Sequence, residues 1–104
     1  THMSDPDPRA AREEIGTELG RVVRRWQQLP LDHALSRSPQ VRELVQRLAD
    51  RVATAEGMPI TPVPDLGPAV LMDQLRVMVY DHGEAGLDPV PLADELTALR
   101  RAIG

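Results

Sequence analysis

Two Asp–His dipeptides, Asp32-His33 and Asp81-His82, carry the side chains best suited to chemistry. Brought together, two imidazoles and two carboxylates would suit zinc or a similar divalent ion. The same groups could act as general acid and base, with Arg24 or Arg25 holding a small carboxylate or phosphate. Adjacent residues point in different directions, however, so neither dipeptide has ligand spacing by itself. No HExxH, EF-hand or paired ExxH pattern accompanies them. A glycine-rich phosphate loop, a GxSxG elbow and a P-loop are also missing. The serines are few: Ser4 in the N-terminal lead, Ser36 and Ser38 in a connector or cap. With no cysteine, a disulfide framework, a thiolate metal site and a thiol nucleophile are excluded. A pocket built from Arg25, Asp32, His33, Asp81 and His82 is therefore the alternative reading, a small-ligand binder or enzyme. No catalytic residue, metal or cofactor is assigned. The plainer role for His82 is a cation at the negative end of a helix.

All 12 basic residues are arginine, against 16 acidic ones, for a net charge of −4. Arg9, Arg12, Arg21, Arg24 and Arg25 could meet phosphates, but Glu13, Glu14 and Glu18 interleave with them and favour a solvated, ion-paired face. The acidic total points the same way. Trp26 falls on an apolar stripe and reads as a core anchor, so it does not serve as a stacking platform. A helix-turn-helix is also excluded on the expected spacing, with eight residues or more between the first two helices. A nucleic-acid-associated regulator working through helix one is the second alternative.

Four elements must position these side chains. Asp7 and Pro8 form a cap and first-turn proline, and Ile15, Leu19, Val22, Val23, Trp26 and Leu29 share one stripe at helical pitch. Glu14, Glu18, Arg21, Arg24 and Arg25 fall on the other side. The first helix is expected over 9–29, stopped by Pro30. Leu31 to Arg37 reads as a connector. Ser38-Pro39 reads as a second cap, opening a helix over 39–56 whose seam is Val41, Val45, Leu48, Val52 and Ala55, closed by Gly57. Residues 58–66 hold Pro59, Pro62 and Pro64 and predict an extended strap long enough for a crossover, its apolar residues covering a core flank. The third helix is expected over 67–82, capped by Asp65 and closed by Gly83, with Leu71, Met72, Leu75, Met78 and Val79 as its stripe. The fourth, over 89–103, starts at Asp88-Pro89 and buries Leu92, Leu96, Leu99 and Ile103. The short loop before it predicts that helices three and four are antiparallel neighbours.

This pattern predicts an all-α four-helix bundle: a scar and disordered lead over 1–8, then one helical domain over 9–104. At 41% apolar and 27% charged, the composition supports a core. Thr1-His2-Met3 reads as a cloning scar. The apolar runs are too short to span a membrane, and with no export signal evident a cytoplasmic setting is expected. Val70 and Val77 lie outside the main stripe of helix three, and Tyr80 lies at its edge. Gly16 and Gly20 form a GxxxG that costs about 0.5–1 kcal/mol per glycine against alanine and invites close approach, inside the bundle or across a dimer. The leading expectation is a protein–protein interaction module, homodimeric or bound to another protein, using Val70, Val77, Tyr80, Gly16 and Gly20.

Overall fold

The computed structural model describes residues 7–104; most of the expected lead, residues 1–6, lies outside them. The chain forms α1 (Pro8–Gln28), α2 (Leu31–Ala55), α3 (Pro68–Glu84) and α4 (Pro89–Ile103), and no strand occurs among the described residues. It is the all-α bundle the periodicity implies. Asp7 caps α1 by accepting from the Arg9 amide, and Asp88 caps α4 by accepting from Val90, each followed by a proline that needs no donor there. Gly57 and Gly86, both with positive φ, end α2 and α3 in Schellman turns. In these turns Met58 N–H reaches the Ala53 carbonyl, and Leu87 N–H reaches that of His82. Helix α3 thus runs past Gly83. Asp65 does not cap it: Gly67 holds that position, and Asp65 accepts from the Gly67 amide instead.

The start of α2 is the main correction. Leu31–Arg37 is helical, and Pro39 lies inside the helix. Only Leu29 and Pro30 separate α1 from α2, so the spacing argument against a helix-turn-helix does not hold for this pair. Pro39 has no amide to offer the Leu35 carbonyl, but Leu35 is largely exposed and water can serve it. The Ser36 and Ser38 hydroxyls meanwhile donate to the His33 and Ala34 carbonyls at 2.8 Å each. Ala34 is buried, which ties this first stretch to the core.

Side-chain pairings set the helix directions. Glu14 meets Thr97 and Glu18 meets Arg100, so α1 and α4 run parallel. Arg42 and Val45 line a cleft with Leu71 and Gln74, and Val45 lines another with Val77 and Met78, so α2 and α3 also run parallel. Ile15 lies with Val79 while Trp26 Nε1 donates to the Pro68 carbonyl, making α1 and α3 antiparallel. Gln40 lies with Ala102 while Arg51 meets Glu95, making α2 and α4 antiparallel. The order is up-down-down-up. Helices α3 and α4 are antiparallel as the short loop requires, yet each packs mainly on another helix, α3 on α2 and α4 on α1.

The parallel α2–α3 pair needs a crossover, and residues 56–67 supply it. Gln46 holds this strap: its Nε2 donates to the Thr61 carbonyl (3.1 Å) and its Oε1 accepts from the Val63 amide (2.8 Å). Gln74 donates to the Pro64 carbonyl, and Arg42 pairs with Asp65. Of the strap's apolar residues only Val63 packs on the core; Met58, Ile60 and Leu66 are exposed. The backbone is fixed by polar clips at Thr61, Val63 and Pro64, and this leaves those side chains outside. The core itself comes from the expected stripes, with Val22, Val41, Leu48, Leu75, Leu92 and Leu96 almost wholly buried. Because Pro39 is interior, P39A restores a ladder hydrogen bond and should raise unfolding stability by about 2 kcal/mol in urea titrations; a helix that began at Ser38 would show no gain.

Candidate functional site

Helix α3 has an apolar face that the bundle does not cover. Val77 is 52% and Tyr80 66% exposed, while Val70 is half-buried. With Leu75 at the centre of the buried side, 100° per residue puts Tyr80 toward α1 and Val77 toward α2 on the outer surface. By the same pitch, with Ile15 and Trp26 directed at α3, Gly16 and Gly20 lie on the outer edge of α1 nearest α3. Tyr80, Gly16 and Gly20 therefore share the outer α1–α3 side, while Val77 borders the α2–α3 cleft with Val45 and Val63, and Val70 falls on that same flank. A Cβ placed on Gly16 or Gly20 would meet nothing within 4 Å. The glycines do not serve close packing inside the chain, and the expectation of an internal notch is overturned. Asp73 and Arg76, 3.5 Å apart, give this side a charge of each sign.

The polar alternative is divided between the two ends of the bundle. Arg25, close to Gly104, lies with Asp32 and His33 at the end where α1 stops and α2 starts. Asp81 and His82 lie at the other end, where α3 gives way to α4. The two dipeptides are separated by most of the length of α3, about 25 Å at 1.5 Å per residue. They form no common pocket, and no cluster of three or more potential metal-ligating side chains exists among the described residues.

Two arginine–carboxylate clusters tie α4 to its neighbours. Glu18, placed on the wet face of α1 by the sequence pattern, is only 4% exposed because α4 covers it. It accepts from Arg100 Nε and, at 3.2 Å, from Arg21. The hydrogen bond from Arg100 outweighs the cost of burial, and with both guanidinium charges it holds the Glu18 carboxyl below its ordinary 4.5. Across the bundle Arg51 forks onto Glu95 at 2.6 and 2.5 Å, and Arg47 Nε joins at 3.2 Å. Burial pushes the Glu95 carboxyl up, but Arg51 and then Arg47 pull it down further, so it too stays low. The bond to Glu95 in turn raises Arg51.

His82 is 2% exposed. Burial first, then the nearby Arg51 charge, lowers its pKa, against opposing pulls from Glu95 and Asp88. It is thus a neutral imidazole at pH 7, and the expected cation at the helix end is not there. It borders a cavity of about 380 Å³ between the start of α1 and the α3–α4 turn, with Arg12, Ile15, Val79 and Leu92. The sequence offers Arg12 only as a possible phosphate contact, and neither its place at this cavity nor the burial of Glu18 was legible there, because both depend on elements some eighty residues away. Leu31 and Leu35 were missed as exposed apolar residues because their helix was read as a connector.

Comparison with family models, curated proteins and solved structures found no match. The described helices include none long and apolar enough to cross a membrane.

The titrating groups act in the same direction in acid, over different pH windows. Carboxyls lowered by folding contribute stability that is complete above about pH 4.5 and is lost as pH falls through their lowered values. His82 takes its proton more readily in the unfolded chain, so stability is full above 6.5 and declines as pH drops below it. Urea midpoints should therefore fall in two stages. H82Q should flatten the first stage, while E18Q should remove part of the second and cost about 2 kcal/mol at pH 7.

Proposed function

We propose that this chain is a cytoplasmic protein–protein interaction module that forms a homodimer through the outer α1–α3 face. The observation that carries the reading is the pairing of a knob with a notch on one surface. Tyr80 projects from α3, with the exposed Val77 one turn away on the α2 flank, and the Gly16–Gly20 edge of α1 offers open space next to it. A two-fold interface is isologous, so a residue meets its counterpart's neighbour twice. Tyr80 of each copy resting on the glycine edge of the other would satisfy both features. Tyrosine suits the place, since its ring supplies apolar contact and its hydroxyl a hydrogen bond at a modest entropy cost. Two helix-favouring positions given over to glycine on an uncrowded surface then have a purpose that the single chain does not supply. A cytoplasmic setting accords with a sequence free of cysteine.

The separated Asp–His pairs leave the enzymatic alternative without an assembled pocket of the expected kind. Nucleic-acid binding gains nothing from the short α1–α2 link, because those helices are not packed as a pair. The test is the native mass. The parent chain should run at twice its 11.5 kDa in light scattering at micromolar concentration, and the double variant V77D/Y80D should run as a monomer with unchanged far-ultraviolet dichroism. A parent that is monomeric at these concentrations, or a double variant that still dimerises, overturns the reading.

A further inference from the structure

The cavity beside His82 lies at the end of the bundle, at the N-terminus of α1 and the turn between α3 and α4. At about 380 Å³ it is within the size range of small-molecule sites. Ile15, Val79 and Leu92 give it apolar walls. Its polar groups are three: Arg12 from α1, His82 from α3 and Asp88 from α4. Asp88 is committed to the α4 cap through Val90 N–H. Arg12 has no ion-pair partner among the described residues, unlike Arg21, Arg47, Arg51 and Arg100.

His82 is the decisive group. It is 98% buried, yet its ring makes no hydrogen bond to any described residue. No fully buried side-chain nitrogen or oxygen among those residues lacks a partner. The cavity that His82 lines is the space beside it. A buried imidazole without a partner among the described residues carries a free-energy cost, and one that borders an apolar cavity is placed to bond to what enters it. Both helix termini at the cavity begin with a proline and a capping aspartate, so backbone amides there offer little to a ligand. The recognition chemistry is thus one permanent cation and one imidazole N–H above an apolar cleft.

We propose that this cavity binds a small organic acid, with its carboxylate held by Arg12 and His82 and its apolar body against Ile15, Val79 and Leu92. Asp88 sets the direction, repelling the carboxylate toward Arg12. The inference is independent of self-association, which uses the outer α1–α3 face.

The ionisable groups around His82 are Arg12 on α1, Arg51 on α2, and Asp88 and Glu95 on α4, with Asp81 adjacent on its own helix. A bound carboxylate adds a negative charge to this set and raises the proton affinity of the imidazole; by reciprocity, binding tightens as pH falls.

Hexanoate is the probe, titrated into the full chain at pH 7.5 and 6.0, with hexan-1-ol as its uncharged counterpart. Amide and histidine-ring shifts are followed by NMR. The expected result is a saturable shift centred on Ile15, Val79, Gly83 and the His82 ring, with a Kd of the order of 1 mM. The His82 ring resonance is assigned by its loss in H82Q. Hexanoate should bind more tightly at pH 6.0, and R12E, a change at an exposed position, should weaken it by about tenfold while leaving the dichroism of the chain unaltered. Absence of a saturable shift, equal binding of hexan-1-ol, or undiminished hexanoate binding to R12E would overturn the proposal.

Discussion

The strap over 56–67 is the constraint on which the arrangement depends. A turn of a few residues after α2 would have sent α3 back antiparallel beside it. Because the chain instead returns along the groove to the end where α2 began, α3 starts beside the Arg42 level of α2 and runs with it. The short turn at Gly86 then reverses α4 relative to α3. Since α1 and α2 are already reversed by Leu29-Pro30, α4 must run with α1. Two parallel pairs result from one extended segment. Prolines at 59, 62 and 64 suit that segment, for they fix an extended backbone and reduce the entropy lost on ordering it. Gln46 replaces hydrogen bonds that such a strap cannot make with itself.

Parallel pairing has an electrostatic cost, because like ends of two helix dipoles come side by side. The bundle distributes it. Each end of the molecule carries two helix starts and two helix stops, with unlike ends adjacent across the α1–α3 and α2–α4 contacts. The carboxylates Glu18 and Glu95 both bear on α4 contacts, one across the parallel α1–α4 seam and one across the antiparallel α2–α4 seam. Helix α4, the shortest of the four, is joined to each neighbour by an arginine–carboxylate cluster as well as by its apolar seam. Such pairs add orientation more surely than stability; here they fix the register at Glu18–Arg100 and Arg51–Glu95.

Patterns with a local cause were legible in the sequence. Asp7-Pro8 and Asp88-Pro89 open helices because cap and proline act within one turn, and the four–three spacing of Leu92, Leu96, Leu99 and Ile103 names a buried seam wherever the helix lies. Ser38-Pro39 carries the same local signature and misled, since Ala34 and the core contacts of α2 extend the helix four residues and more upstream of it. Glu18 could not be read as buried, because what covers it is Arg100, far along the chain. His82 was legible as a candidate but not in its surroundings: the sequence pairs it with Asp81, and the fold pairs its cavity with Arg12. The outer face of α3 was legible because it rests on one helix. Val77 and Tyr80 fall off the main stripe by pitch alone.

The up-down-down-up order also decides where the chain enters and leaves the bundle. Asp7 lies at the end shared by the starts of α1 and α4, and Gly104 lies at the other, beside Arg25. The two points are separated by the length of α1, about 30 Å at 1.5 Å per residue. Many small domains bring their two ends close together, and so tolerate reconnection into a ring or insertion into a host loop. This one would need a spacer spanning the whole bundle to close on itself. Copies fused tip to tail would instead string out along one axis, each presenting its α1–α3 flank sideways to the line of travel.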